Sequence, residues 1–405
     1  MNSESGGLPK LLIVADFPPD EQHGGALRTC ELARHLPPGS VCWFAFQPLR
    51  TGRKPRGLEE MPFGHASAAL RRPNRFGLSK WREMVNLQWL PRCLAKKAAR
   101  FGREHGVEAV LVIMQEQSIV GGPEAARLLK VPYHATVHDE PGYLLQGRLG
   151  ARGMETFNKI FFENYRQAAS CDVVCESMRK YFLEVTGRDA AVVIPDLCET
   201  APFARQLPAM PKQGGVLRIH HSGMVYDHTL LRGFIESLEK LSRDGKFPAF
   251  EFGLSGPEPF RPQMSPWPAS AKWLGWHGLE EHWKALAAAD LLYIQHPFDA
   301  PRKLFATTSF PGKLSAYIRS GTPIIFHAPE YSAVSDFART HGLPLLFSQP
   351  DPKGAAAAFA AELSRFKNAP GPLPGYESAI RAYAPGSSRK PLIECLNKMK
   401  YCSKS

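Results

Sequence analysis

The residues best placed to do chemistry in this 405-residue chain lie in one run, Thr307-Thr-Ser-Phe-Pro-Gly-Lys-Leu-Ser-Ala-Tyr-Ile-Arg-Ser-Gly-Thr-Pro323. A loop of small hydroxyl residues should lead into a helix over 311–320 with Lys313 in its first turns. Gly321 is placed to stop that helix, and Pro323 to open the next strand. Hydroxyls, free N–H groups at a helix start and one ammonium suit a sugar diphosphate. The bland alternative is an ordinary loop-to-helix junction.

Two further segments have the same character. Gly24 and Gly25 end the loop after the first strand and open the first helix. Glycines there let a backbone approach a ligand, and the helix start offers N–H groups to phosphate, although two glycines can also simply make a turn. The GxGxxG fingerprint is absent, which argues against a nicotinamide enzyme. Thr136-Val-His-Asp-Glu-Pro141 closes another strand. His138 could bond a sugar hydroxyl or stabilise a charged transition state, with Asp139 and Glu140 to orient it or the acceptor. A strand-end histidine can equally cap a loop.

The elements that must position these residues follow one pattern twice. In the first half, strands are expected at 10–16, 41–46, 109–114, 133–138, 172–175 and 191–194. Helices are expected at 26–36, 122–129, 154–169 and 178–186. Residues 199–215, rich in Pro, Gly and Ala, form the best linker. The pattern then restarts with strands at 217–221, 250–254, 291–294, 323–326 and 344–347, the second of these ending at Ser255-Gly256-Pro257. Helices alternate with them at 229–241, 282–288, 311–320 and 332–341. Such alternation implies α/β architecture with two doubly wound parallel sheets, whose ligands bind at the strands' C-terminal ends in a cleft. The expected domains are 1–205 and 206–385, with 386–405 holding a last helix, over 391–401.

Composition excludes other classes. Hydrophobic residues make up 44% and charged residues 22%, ordinary for a globular protein. The apolar run 11–15 is too short for a secretory leader, and no run is long enough to span a bilayer. The eight cysteines are irregularly spaced with no CxxC pair, which implies neither a zinc site nor a disulfide framework and suggests a cytoplasmic protein. The net charge of +12 is concentrated: residues 50–104 hold 14 Lys/Arg against 4 Asp/Glu. Within that stretch, 79–105 reads as helix broken near Pro91. It interleaves Trp81 and Trp89 with Lys80, Arg82, Lys96, Lys97 and Arg100, a pattern that suits an anionic membrane surface. Alternatively it is a solvated face whose tryptophans pack inward. No nucleic-acid motif accompanies the charge.

The chain resembles a family 4 glycosyltransferase, one of the GT-B enzymes that transfer sugars with retention. LLIVADFPPDEQHGGALRTCELARHL resembles that family's first strand, glycine loop and helix, and VHDEP its central histidine motif. VVCESMRKYFLEVTG followed by VVIPDL is similar to another family passage. FEFGLSGP and WLGWHGLEEHWKALAAADLLYIQH resemble the donor-domain run, and TSFPGKLSAYIRSGTPII a variant of the glutamate motif. The resemblance implies a nucleotide-sugar donor site in the second domain and an acceptor site in the first. Gly24 and Gly25 would approach the donor diphosphate, and His138 the transferred sugar. Ser309 and Phe310 would offer main-chain contacts, with Pro311 beside them, and Lys313 would offset diphosphate charge. Ser222, Gly223 and Gly256 would also border the donor. No metal or other cofactor is implied. The final helix would pack back on the first domain.

The sequence departs from the family at three places. The Glu-x7-Glu pair aligns with Thr308 and Ala316, so both carboxylates are absent. Thr308 can replace some hydrogen bonding; Ala316 cannot. The basic residues that often follow the first donor-domain strand are replaced by Met224, Val225, Tyr226, Asp227 and His228, with His228 and Arg232 as candidate substitutes. The expected function is sugar transfer to a lipid-linked or cell-envelope glycan acceptor at the inner membrane face. A soluble transferase, a sugar-nucleotide binder of little activity and an epimerase are the alternatives.

Overall fold

A computed structural model describes residues 8–20, 24–49, 54–70, 79–145, 147–193, 215–276, 278–366, 372–383 and 387–402. The chain divides into two compact units, Met1–Pro195 with Gly386–Ser405, and Asp196–Pro385. Of the linker expected at 199–215, all but Gly215 lies outside the described residues, as does the stretch from Ile194.

Unit 1 opens with β1 (Leu11–Ala15), α1 (Gly24–Arg34), β2 (Val41–Ala45) and β3 (Phe63–His65). Then come α2 (Ser79–Met84), a π-helical turn (Val85–Trp89) and α3 (Leu90–Glu104). β4 (Ala109–Ile113), α4 (Ser118–Leu129), β5 (Tyr133–Val137), α5 (Pro141–Leu144) and α6 (Ala151–Gln167) follow. β6 (Ser170–Val173), α7 (Glu176–Thr186) and β7 (Ala191–Val192) complete the sheet. Unit 2 runs through β8 (Leu217–Ser222), α8 (His228–Arg243), β9 (Phe250–Ser255), β10 (Ala271–Gly275), α9 (Leu279–Ala288) and β11 (Leu291–Gln295). It continues with α10 (Lys303–Thr308), α11 (Lys313–Ser320), β12 (Ile324–His327), α12 (Ala333–His341), β13 (Leu346–Phe347), α13 (Pro352–Phe366) and α14 (Tyr376–Ala382). The chain then returns to unit 1 as α15 (Arg389–Cys402).

Both sheets are parallel and doubly wound. Strand order is β3-β2-β1-β4-β5-β6-β7 in unit 1 and β10-β9-β8-β11-β12-β13 in unit 2. The order reverses between β1 and β4 and between β8 and β11, the places where loops part and ligands enter such sheets. Strands buried on both faces explain the continuous apolar runs LLIVA and AVLVI.

Four local differences from the sequence reading have physical causes. The expected break at Pro91 is instead a widened turn. Proline has no N–H and crowds the carbonyl four residues back, so the Leu90 N–H reaches Val85 O and the helix continues. α4 begins four residues earlier than expected, and its glycines are points of close contact. A Cβ on Gly122 would lie 2.5 Å from Val112 Cγ1, and one on Gly121 2.5 Å from Phe46 Cζ. Pro123 inside α4 cannot serve the Ile119 carbonyl, and Asn164 Nδ2 donates to it at 2.8 Å instead. Finally, Thr307 and Thr308 end α10 and do not lie in a loop, while β3 and β10 are edge strands too short or too polar to be read beforehand.

α15 seals one side of unit 1. Leu392, Leu396 and Met399 join Leu11, Ile13, Trp43 and Leu111 in one core cluster. Beneath it runs a buried polar network. His134 Nε2 lies 2.7 Å from Asp172 Oδ2, Thr136 Oγ1 donates to the same oxygen at 3.1 Å, and His134 Nδ1 meets Ser170 Oγ at 2.8 Å. The Ser170 hydroxyl donates to the Cys395 carbonyl at 3.0 Å and so ties α15 to β6. A half-satisfied network of this kind costs more than none. Asp172→Ala strands His134 and Thr136, and a loss of about 3 kcal/mol is expected in urea unfolding.

Candidate functional site

Unit 2 concentrates its polar groups where β8 and β9 end. The Gly223 N–H donates to Ser255 O at 2.7 Å, and a Cβ built on Gly256 would lie 3.4 Å from Gly223 Cα. Gly223 has φ +79°, a conformation that favours glycine, so the loop turns away from the sheet at once. α11 grips that turn with two side chains four residues apart on one face. Tyr317 OH accepts from the Ser222 N–H at 2.7 Å, while Lys313 Nζ reaches the Met224 carbonyl at 2.9 Å and His221 Nε2 at 3.1 Å. The other ring nitrogen of His221 lies 2.9 Å from Tyr293 O, which can only accept. Nε2 also lies 3.1 Å from the Met224 carbonyl, so each ring nitrogen faces a carbonyl and the geometry does not by itself choose the tautomer.

Lys313 is half-buried, with its Nζ 5.7 Å from the centre of the Tyr226 ring. Desolvation brings its ammonium down to about 7. The imidazoles around it are neutral for the same reason: His221 is held well below its usual range, His220 and His282 are pushed down to about 4 and His296 to about 3. Lys313 adds to the shift at His221, His282 and His296. Neither ring nitrogen of His296 makes a hydrogen bond of good geometry, although the Ala306 backbone lies close enough to oppose its shift. The result is a dischargeable cation at strand ends, short of an anion.

The remaining expected donor residues have structural tasks. Thr308 is buried and its hydroxyl donates back to Leu304 O at 2.9 Å, so the proton needed for a ligand bond is committed. Ala316 is buried in α11. Ser309 and Pro311 are buried, and Phe310 stacks on Tyr383 with ring centres 6.2 Å apart, which leaves only main-chain groups to offer. Arg232 is tied to Glu236 and to Ser265 O, and His228 Nδ1 accepts from the Gln263 N–H at 3.3 Å. Among the described residues two cations thus meet the β8 loop: Lys313 at Met224 O, and Arg302 at Tyr226 O and the Asp227 carboxylate, with which it forms an ion pair. Sequence reading missed His221, Tyr226 and Tyr317; the Lys313–Tyr317 spacing was the available signal.

In unit 1, Asp16 at the end of β1 occupies the reversal point. It accepts from the N–H groups of Glu116, Gln117 and Ser118 at 2.9, 2.7 and 3.2 Å and from the Ser118 hydroxyl at 2.6 Å. Burial outweighs these bonds and pushes its carboxyl up to about 6. The start of α4 is therefore already capped. Gly24 has open space where a Cβ would be, while Gly25 packs against Phe17. His138 is buried and its Nδ1 has no partner among the described residues. Burial, with Arg28 nearby, pushes it down to about 3, so it acts as a neutral imidazole. Asp139 is raised by burial, with Arg28 opposing. Arg28 lies on α1 four residues after Gly24, a helical spacing that could have flagged it. Glu140 is not an orienting group: its carboxylate caps α5, accepting from Gly142 N and Tyr143 N.

The basic helix of unit 1 presents Trp81 (62% exposed) and Trp89 (67%) outward, against the inward-packing alternative. Lys96, Lys97 and Arg100 are exposed on the same helix; Arg82 is half-buried and does not belong to that face. Among the described residues no helix is long and apolar enough to cross a membrane, and no three His, Cys, Asp or Glu side chains converge as a metal site.

No protein-family model matches the chain, and no curated protein matches it. Solved structures do. The apo lipopolysaccharide outer core galactosyltransferase WaaB matches with TM-score 0.58 and 12% identity, over 97% of this chain and 99% of its own. Both parallel sheets are included in that span. The fold is GT-B. Two other GT-B matches are the α,α-trehalose 6-phosphate synthase of Burkholderia multivorans (TM-score 0.58, 12% identity, 98% of each chain) and the UDP-GlcNAc 2-epimerase of Neisseria meningitidis bound to UDP-GlcNAc (0.54, 12%, 96% of this chain and 99% of that one). At such identity the likeness carries the GT-B architecture alone.

Tyr317→Phe leaves the buried Ser222 N–H without its acceptor. A loss of about 1–3 kcal/mol in urea unfolding is expected; an unchanged midpoint would mean that α11 does not hold the β8 turn.

Proposed function

We propose that this protein is a glycosyltransferase that binds a nucleoside-diphosphate sugar in unit 2. The observation that carries the reading is Lys313, held by His221 and Met224 O beside the glycine turn after β8. A diphosphate is the ligand that restores the full charge of such a lysine and takes the backbone N–H groups of a glycine turn. Neutralisation of the diphosphate is assigned to these groups and none of it to a metal ion. In the reaction, the bond from sugar C1 to the diphosphate oxygen breaks and a bond from C1 to an acceptor hydroxyl oxygen forms. The hydroxyl proton leaves with the nucleoside diphosphate. The motif resemblance to family 4 supports retention at C1, as it supports contact of Gly24 and Gly25 with the diphosphate. The GT-B structures named above, one of them bound to UDP-GlcNAc, support the donor class.

Unit 1 is proposed to carry the acceptor, with His138 as a neutral hydrogen-bonding group at the sugar. Its partnerless buried Nδ1 favours that role. The exposed tryptophans and basic side chains of α2 and α3 favour a lipid-linked glycan acceptor reached at the inner face of the plasma membrane, with the protein bound peripherally.

The donor assignment is tested with UDP- and GDP-sugars in a thermal-shift screen; a ligand at 100 times its dissociation constant adds about 2.7 kcal/mol. Lys313→Ala should weaken binding of the active nucleotide by about 1.5–3 kcal/mol and leave the free nucleoside unaffected. The pH dependence has a definite sign. Free Lys313 is half-charged near pH 7 and an anion binds its charged form, so UDP affinity falls as pH rises from 7 to 9, with uptake of up to one proton. Lys313→Arg should flatten that fall. Flat wild-type affinity over this range would remove Lys313 from the site.

His138→Ala should lower turnover by about two orders of magnitude or more while donor affinity changes little. Donor binding without transfer or hydrolysis in the wild type would instead mark a sugar-nucleotide binder.

A further inference from the structure

We propose that the pocket between α2 and the start of α6 is a headgroup site for the phosphate of an anionic lipid, with Trp81 as its interfacial anchor. The inference rests on the membrane reading above and gives it a place on the molecule. The pocket has a volume of about 400 Å³. Lys80 and Arg152 supply its charge, Trp81 and Met84 its apolar side, and Gly150 and Gly153 its floor. The floor depends on the glycines: a Cβ on Gly150 would lie 3.3 Å from Lys80 Cδ and 3.6 Å from its Nζ, and one on Gly153 3.3 Å from Met84 Sδ. The described wall carries no carboxylate. Glu83, next to it in sequence, is bound by Arg148 at 3.0 Å, and Arg148 also binds Glu116 at 2.8 Å. The nearest exposed acids on these helices are Glu155, one turn along α6, and Glu104, which pairs loosely with Arg100.

The π turn makes this pocket part of a longer surface. Eight residues separate Trp81 from Trp89. In a regular helix of about 3.6 residues per turn they would point in different directions. One regular turn plus one widened turn of about 4.4 residues brings them back into line. Two exposed indoles then stand on one side, continued by Arg92, Lys96, Arg100 and Arg103 at helical spacing, all exposed. Indoles at headgroup depth with phosphates against lysine and arginine is the chemistry of an anionic bilayer surface. A cation pocket beside the first indole is where one such phosphate fits.

The test uses the full chain in sedimentation with phosphatidylcholine vesicles with and without phosphatidylglycerol. Wild type is expected to sediment only with the anionic vesicles and to be largely released by roughly 0.5 M salt. Gly150→Phe fills the pocket without changing charge, and Gly150 has ordinary extended backbone that a side chain tolerates. It should weaken binding by about tenfold, and Lys80→Glu with Arg152→Glu by roughly 30-fold or more. Thermal unfolding checks that each variant is folded. Lys96→Glu, Lys97→Glu and Arg100→Glu together should weaken binding with the pocket intact. If wild type ignores anionic vesicles, the membrane reading falls and the pocket with it. If wild type binds them and both pocket variants bind as tightly, the headgroup site alone is overturned.

Discussion

A doubly wound sheet has one place where neighbouring loops diverge, and the backbone N–H groups exposed there must be satisfied. Unit 1 answers this demand with a charge, whereas in unit 2 the Ser222 and Gly223 N–H groups go to the Tyr317 hydroxyl and the Ser255 carbonyl. Unit 1 sends in its own carboxylate, Asp16, which takes three N–H groups and a hydroxyl at the start of α4. Unit 2 sends in an ammonium, Lys313, which takes a carbonyl and an imidazole. The first site is internally closed to anions. The second holds an ammonium, Lys313, that has no carboxylate hydrogen-bonded to it among the described residues. This difference, more than the fold common to both, supports the proposal that a diphosphate binds in unit 2.

The surroundings of Lys313 set how strongly it seeks that partner. Tyr293 packs on His221, and Tyr226 on His296 and Phe305, so the ammonium lies among rings and is desolvated by burial. Desolvation that costs the free lysine its charge is offset when an anion arrives. Preorganisation is supplied by Tyr317, which fixes the turn from the opposite end of the same helix face. His138 in unit 1 is likewise kept neutral by burial, which suits a hydrogen-bond donor and rules out service as a strong acid.

Much of this was legible in the sequence, for reasons that differ by residue. Apolar runs such as LLIVA declare themselves because both faces are covered, and Gly321 declares the end of α11 because it sits at φ +73°. What stayed hidden depends on contacts between distant segments. Nothing near Asp16 in sequence says that it caps a helix a hundred residues away, whereas the Thr308 bond to Leu304 is local and was missed because 307–308 read as loop. The four residues of α4 before Gly122 escaped the sequence reading, and Val112 and Phe46 packed against Gly122 and Gly121 show how closely that turn approaches the sheet. Pro91 reads as a stop, although a helix can absorb it by widening one turn. The two lost glutamates were visible as absences. That Lys313 and Tyr317 anchor the β8 turn was not, because it needs the three-dimensional meeting of β8 with α11.

The return of α15 to unit 1 imposes an order on how the molecule is made. Leu392, Leu396 and Met399 fill the same cluster as Leu11 and Ile13, so the last part of that core is synthesised after unit 2. Between Pro195 and Gly386 the ribosome must deliver all of unit 2. At about 5–20 residues per second this takes roughly 10–40 s. Throughout that interval the face of β5, β6 and β7 that receives α15 is bare, and the Ser170 hydroxyl awaits the Cys395 carbonyl. Unit 2, contiguous in sequence, can complete its core while unit 1 is still open. Unit 1 is therefore closed only after unit 2 has been synthesised.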